Sequence, residues 1–217
     1  MSPSSLIADL SALYTAVVAD VLDAHGYPNQ TLSPAVRALT PTQRIAGRIF
    51  TIRAEVVDSV PAHPYALEME AIDSAESGDV LVVDANHDTS CAFWGELLST
   101  ACLAKGIRGI VMTACTRDLW ALNQLDFPVF GIGSSPADSK GRLDVVAIRE
   151  PILLDKVLTK QGDYLLGDCD GVVIIPQRVA EQVIAAAKEK IAGENTVREE
   201  LAAGVPVSEV FRKHGIL

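Results

Sequence analysis

Apolar and polar positions along this chain switch between a helical and an alternating period, and the switches outline a fold. The N-terminal stretch MSPSSLIADLSALYTAVVADVLDAHG reads as a capped helix that Gly26 and Pro28 close. RIAGRIFTIRAEVV then alternates apolar with polar residues, as a strand does. VPAHPYALEMEAIDSA carries two prolines and a short helical pattern, and SGDVLVVDANHD reads as a turn, a buried strand over Val80 to Val83, and a polar loop. Next, Phe93, Trp94, Leu97, Leu98, Ala101, Cys102 and Ala104 recur at helical intervals, with Gly106 as the stop.

IRGIVMTA follows as a buried strand, TRDLWALNQL as a short helix and FPVFGIG as a further strand. Strand, helix, strand, helix, strand in close succession defines an α/β protein. LDVVAIREPILL reads as a strand, and GDYLLGDCDGVVIIP as two strands joined at Asp-Gly and closed by Pro176. The long polar-faced helix RVAEQVIAAAKEKIAGENTVREELAAG comes last. One internal echo stands out: Gly78 to Asp84 and Gly162 to Asp168 both read G-D-x-L-x-x-D. Two copies so far apart point to shared turn chemistry rather than a repeat architecture.

With 217 residues, 49% hydrophobic and 21% charged, the chain can build one generous domain, expected to span 1–217 with an N-terminal helical segment and a C-terminal helix. A net charge of -10 with no offsetting run of Lys and Arg argues against direct nucleic-acid binding. Asp9 and Asp20 interrupt the N-terminal apolar run, so this stretch is not expected to act as a secretion signal, and no apolar run approaches the ~20 residues needed to cross a bilayer. Cys91, Cys102, Cys115 and Cys169 form no C-x-x-C pair, so free thiols in a reducing compartment, the cytoplasm, are expected. His25, His63, His87 and His214 show no metal-ligand spacing.

Several familiar motifs fail on inspection. GIGSSP at Gly131 lacks the third glycine of a dinucleotide loop, with Pro136 in its place. There is no P-loop and no G-x-S-x-G elbow, and DCDG at Asp168 runs into Val172, which cannot coordinate a hard cation.

What survives is CAFWGELLSTACLAKGIRGIVMTACTRDLW, an apolar segment that carries Glu96, Arg117 and Asp118 where the chain turns into helix. First-turn amides at such junctions face outward with partial positive charge and can seat a carboxylate or phosphate oxygen. Arg117 offers a planar fork suited to a carboxylate, and Asp118 a hard oxygen suited to Mg²⁺ or Mn²⁺. A divalent ion there would polarise a carbonyl, the help that carbon–carbon cleavage beside a keto acid requires. The plainer alternative is that these charges merely complement helix dipoles and pair with neighbours on the surface. Both readings remain open on spacing alone.

The series GDVLVVD, WGELLSTACLAKGIRGIVMTACTRD, PVFGIG, GDYLLGDCDGVVIIP and ENTVREELAAG resembles the RraA-like family over nearly the whole chain. That family includes 4-hydroxy-4-methyl-2-oxoglutarate / 4-carboxy-4-hydroxy-2-oxoadipate aldolases, which are class II pyruvate aldolases that also decarboxylate oxaloacetate, and a non-catalytic regulator of ribonuclease E. The resemblance implies an α-β-β-α sandwich of the swivelling β/β/α type, a Mg²⁺ or Mn²⁺ cofactor, a small 2-oxo acid substrate and a homotrimer or homohexamer. It implies Arg117 as the carboxylate clamp, Asp118 as the direct metal ligand and Glu96 as an acid near the metal waters. The amides of Gly95, Glu96, Leu97 and Leu98 would complete the carboxylate seat, and Glu194 would reach a neighbouring subunit's site. Older names in the family suggest a menaquinone methyltransferase, but no glycine-rich adenosylmethionine loop is present.

The chain departs from the family pattern in one place that bears on chemistry. Thr113 and Ala114 stand where relatives have Asp and Gly ahead of Arg-Asp, so one carboxylate is absent and Thr113 can offer only hydrogen bonds. His87 replaces a common glycine as an exposed loop residue or a specificity residue, and Cys115 lies beside the pair as a reactive thiol or as packing.

Overall fold

The central strands of this protein are buried over runs of consecutive residues, Ile49 to Ile52 in one and Val80 to Val83 in the next, because the sheet is covered on both faces there. A computed structural model of the chain describes residues 3–42 and 44–215. The helices are α1 (Pro3–Ser11), α2 (Thr15–Ala24), α3 (Ala66–Ser74), α4 (Glu96–Lys105), α5 (Leu119–Leu122), α6 (Ala180–Ala202) and α7 (Val207–His214). The strands are β1 (Arg37–Ala38), β2 (Ile45–Val56), β3 (Asp79–Trp94), β4 (Ile110–Thr116), β5 (Val129–Gly131), β6 (Gly133–Ser134), β7 (Leu143–Ile148), β8 (Ile152–Leu154), β9 (Val157–Thr159), β10 (Tyr164–Asp168) and β11 (Gly171–Ile175).

Nine strands form one mixed sheet in the order β1-β5-β4-β3-β2-β10-β11, with β6 on β4 and β7 on β2, while β8 and β9 pair separately. The centre, β2-β3-β4-β5, is parallel, and β10-β11 joins as an antiparallel hairpin. The sheet curls until its edges approach, with Leu32 N–H donating to the Val172 carbonyl at 3.0 Å just before β1. Alternate residues of the strands then point into one shared interior: Ile49, Val80, Val82, Val111, Phe130, Leu165, Val172 and Ile174.

The opposite faces bury against helices. Phe50, Leu81, Val83, Ile110 and Met112 pack with Ala71 and Ile72 of α3 and Cys102 of α4. Tyr164, Leu166, Val173 and Ile175 pack with residues of α1, α2 and α6. Helix, sheet, sheet, helix is therefore the layering, in agreement with the expected α-β-β-α sandwich. Among the described residues no single helix is long and apolar enough to cross a membrane.

Several elements differ from the sequence expectation, among them β9, which was not foreseen, and Asp84 to Asp88, expected as a polar loop but part of β3. The single N-terminal helix is two helices meeting at 111°. The break is held by the Arg44 guanidinium, which donates to the carbonyls of Ser11 and Leu13, and by buried Asp168, which accepts from Thr15 N–H at 2.8 Å and Thr15 Oγ1 at 2.6 Å as α2 begins. Phe93 and Trp94 are not helical but end β3, and α4 starts only at Glu96 after Gly95 in extended conformation. The predicted strand over LDVVAIREPILL is two strands, broken at Arg149 with φ 61° ahead of Pro151. Helix α7 was not foreseen.

The internal echo is turn chemistry. Asp79 accepts from Glu76 N–H at 2.9 Å and Asp163 from Lys160 N–H at 2.8 Å, each closing a turn whose glycine, Gly78 or Gly162, has positive φ. The first turn launches β3 parallel to β2, and the second launches β10 antiparallel to the same strand.

Candidate functional site

Parallel strands β3 and β4 end side by side, and both chains turn into helix at the same level. Trp94 pairs with Thr116, and Arg117 N–H donates to the Trp94 carbonyl at 2.9 Å, so Gly95 and Glu96 stand next to Arg117 and Asp118. The carboxyl ends of parallel strands are where open α/β sheets place ligands.

Asp118 holds the left-handed conformation, φ 61° and ψ 31°, a region that Asp and Asn tolerate better than other side chains do. That conformation accompanies a carboxylate turned back to the start of α4, where Oδ2 accepts from Glu96 N–H at 3.3 Å. Arg117 Nε lies 3.7 Å from the same oxygen, and its Nη1 lies 3.3 Å from Asp138 Oδ1. The other oxygen of Asp138 accepts from Tyr65 OH at 2.9 Å. Burial and that hydrogen bond push the Tyr65 phenol up to about 12, so it stays a donor at neutral pH. Half-exposed, Arg117 and Asp118 are not sealed in an internal ion pair.

These groups open on a pocket of ≈ 280 Å³, room for a small organic acid. Ala92, Phe93, Trp94, Glu68 and Ser139 are its buried floor, and Arg117, Asp118, Asp138, Glu96 and Leu97 surround the mouth. Glu68 is the most unusual of them. Only 5% exposed, it leaves Oε1 sealed from solvent with no hydrogen-bond partner among the described residues. Desolvation, then the fields of Asp144 and Asp138, push its carboxyl up to about 8, so at neutral pH it is largely an undissociated acid.

A carboxyl whose pKa rises on folding contributes stability below its unfolded value and loses that contribution as pH climbs towards the folded value. Glu68→Gln is therefore expected to flatten the fall in stability between pH 4.5 and about 8 and to leave the protein more stable than wild type at the alkaline end. Chemical denaturation at a series of pH values checks this, and parallel curves for the two proteins would refute it.

Of the residues singled out from sequence, Gly95, Glu96, Leu97, Leu98, Arg117 and Asp118 all line this pocket. The α4 amides are not wholly free for a ligand, since Asp118 already occupies the Glu96 N–H. Glu96 Oε1 accepts from Thr100 Oγ1 at 2.9 Å, one turn along its own helix. Thr113 does not reach the pocket: it is buried in β4, accepts from Ala85 N–H at 2.8 Å and donates to Asp84 at 3.1 Å. Glu194 lies on α6, where it accepts from Tyr14 OH at 2.6 Å and does not line the pocket of its own chain. His87 bonds Asp155 at 2.9 Å away from the pocket lining. Cys115 is buried outside the lining, and burial pushes its thiol up, so it is packing rather than a nucleophile.

Sequence reasoning passed over Tyr65, Glu68, Met69, Asp138 and Ser139, which also line the pocket. For Glu68 a signal existed: with Ala71 and Ile72 it occupies the buried stripe of α3, a place where an acid is out of character. Asp138 and Ser139 sit in a loop whose sequence gives no such cue.

The donor set of the pocket suits a hard cation. Asp118, Glu96 and Asp138 present oxygens, no His or Cys among the described residues lines the pocket, and Mg²⁺ is held by one or two carboxylates together with water and substrate. Among the described residues, three ligand atoms already converge only at Asp168, Cys169 and Asp170. There, however, the Asp168 oxygens accept from Thr15 and from Asp170 N–H, so that group braces a hairpin against α2.

Fold and site together define a mixed α/β protein with an acid-lined, arginine-bearing pocket at the carboxyl ends of its parallel strands. The RraA-like family (Aldolase/RraA) matches residues 15–174, and the chain belongs to that family. A Halalkalibacterium halodurans protein provisionally named 4-hydroxy-4-methyl-2-oxoglutarate aldolase is 29% identical over 199 residues, covering 92% of this chain and 90% of its own. Among solved structures, an uncharacterized protein from Pseudomonas syringae pv. tomato superposes with a TM-score of 0.84 at 26% identity, covering 97% of this chain and 99% of that one. Streptomyces coelicolor RraAS2, described as an unusual member of the RNase ES inhibitor RraA protein family, gives 0.80 at 25% identity, with 91% and 97% covered.

Proposed function

We propose that this protein is a divalent-metal-dependent carbon–carbon lyase that releases pyruvate, either by retro-aldol cleavage of a 4-hydroxy-2-oxo acid or by decarboxylating oxaloacetate. The observation that carries the reading is the meeting of Arg117 and Asp118 at the mouth of a pocket sized for such an acid. The aldolase names of relatives support it.

Asp118 would hold Mg²⁺ or Mn²⁺, with Glu96 beside its waters. The ion would polarise the C2 carbonyl and so stabilise negative charge gathering there. The Arg117 fork would grip the C1 carboxylate bidentately and fix the acid against the floor of the pocket. In the cleavage the C4 hydroxyl loses its proton, the C3–C4 bond breaks, and C4 becomes a carbonyl. The electron pair passes towards C3 and the C2 oxygen, and a proton returned at C3 completes pyruvate. On balance no external acid, base or oxidant is consumed. Glu194 would serve a neighbour's pocket only in an assembly, a trimer or hexamer, which light scattering would size.

Pyruvate release from a panel of 4-hydroxy-2-oxo acids and oxaloacetate, with Mg²⁺ and with chelator, tests the reading. Release that chelator stops supports it, and silence across the panel under both conditions refutes it. Arg117→Lys keeps the charge but loses the planar fork, so KM is expected to rise by about tenfold with metal affinity unchanged. Unaltered kinetics would remove Arg117 from the clamp.

A second reading, a regulator that binds a ribonuclease, gains from Leu97 and Trp120, which are 78% and 77% exposed on adjoining helices. Retention of a ribonuclease by wild type and its loss in Trp120→Ala, with no pyruvate release by either, would favour it.

A further inference from the structure

The aldolase reading leaves open what the substrate carries beyond C3, and the pocket floor speaks to that. Four carboxyl groups, Glu68, Glu96, Asp118 and Asp138, line the pocket against one cation, Arg117, and no other Lys or Arg lines it among the described residues. Arg117 stands at the mouth. Apart from Glu68 and Ser139, the walls below it are apolar, from Ala92, Phe93 and Trp94 inside to Met69 and Leu97 at the rim.

Within that apolar floor one polar atom is unpaired. Glu68 Oε1 is sealed from the surface and has no partner among the described residues, and buried polar atoms are rarely left so: a water, an ion or a ligand atom usually completes them. Asp138 and Asp144 face Glu68 with negative charge, Arg117 opposes them more weakly, and Tyr65 is a donor already engaged by Asp138. The fields that keep Glu68 undissociated would equally repel a second ligand carboxylate placed beside it. A hydroxyl, which both donates and accepts, meets the requirement without bringing charge.

Resting on the retro-aldol form of that reading, and not on decarboxylation of oxaloacetate, whose C4 is itself a carboxylate, we propose that the floor is a subsite for an uncharged hydroxyl-bearing fragment, with Glu68 hydrogen-bonded to the C4 hydroxyl. The 2-oxo acid cleaved here then carries a single carboxylate, the one that Arg117 grips, and an apolar or neutral group on C4. In this respect the pocket, as one subunit lines it, differs from one built for a diacid, which calls for a second cluster of donors at the far end.

The test compares a monoacid, 4-hydroxy-2-oxopentanoate, with a diacid, 4-hydroxy-4-methyl-2-oxoglutarate, in the presence of Mg²⁺. Rates are counted per bond cleaved, because the monoacid gives pyruvate and acetaldehyde while the diacid gives two pyruvates. Wild type is expected to show a kcat/KM at least about tenfold higher for the monoacid. Glu68→Gln, which keeps hydrogen-bonding capacity, should retain that preference, whereas Glu68→Leu should lower kcat/KM on the monoacid by about tenfold and narrow the gap. A merely structural glutamate would depress both acids alike and leave the ratio where it was, which would overturn the assignment of Glu68. Equal or better cleavage of the diacid by wild type would overturn the subsite while leaving the aldolase reading in place. Pyruvate from neither acid, nor from oxaloacetate, would refute the aldolase reading and this inference together.

Discussion

Asp118→Asn is expected to fold as wild type does and to release pyruvate about a hundredfold or more slowly, with metal dependence weakened in parallel. Asparagine is chosen because residue 118 sits at φ 61°, which Asn accepts and which would strain alanine. Its amide oxygen can still accept from Glu96 N–H, so the start of α4 keeps its brace. What disappears is the negative charge that would hold the cation and that partly offsets Arg117. Two measurements check the result: turnover across a range of Mg²⁺ concentrations, and metal binding by calorimetry. Normal turnover at ordinary Mg²⁺ would mean that the cation, if one is used, sits elsewhere.

Gly95→Ala is expected to lower turnover by about ten- to a hundredfold while moving the melting temperature little, because a misplacement of ~1 Å in a catalytic group can cost that much. A methyl group at position 95 would lie 2.7 Å from Asp118 Oδ2 and 3.4 Å from Arg117 Cγ. The backbone there is extended, φ -161°, so alanine itself is unstrained. Something must nevertheless give way, and the short side chain of Asp118 is the part that can rotate. The site is disturbed although the fold is not. Full activity in this variant would show that Asp118 does not need its present place, and a collapse in melting temperature would show that the contact is structural.

The α/β class was legible because strands and helices carry different periodicities and alternate from Val80 to Gly131, whereas the layering came only with the family resemblance. The boundary at Phe93 and Trp94 was not legible, because these residues also fit a helical stripe. Only the pairing of β3 with β4 keeps them extended, and that contact lies between residues far apart in sequence. The N-terminal bend was invisible for a similar reason, since Arg44 and Asp168 impose it from elsewhere in the chain. At the site, Glu96, Arg117 and Asp118 stood out locally as charges at the two strand-to-helix junctions, while Gly95, Leu97 and Leu98 were named only through the family resemblance. Tyr65 and Asp138 could not be named in advance, because they reach the pocket from a left-handed helix start and a loop. Glu68 was the recoverable case, an acid set among the inward positions of a helix.

The matched Gly-Asp turns ahead of β3 and β10 bear on how histories are inferred from sequences of this kind. The same seven-letter signature begins two neighbours of β2 that run in opposite directions, so no rigid rotation superposes one unit and its surroundings on the other. A search for ancestral duplication would score these segments as copies, although each is a separate solution to the problem of starting a buried strand from a tight corner.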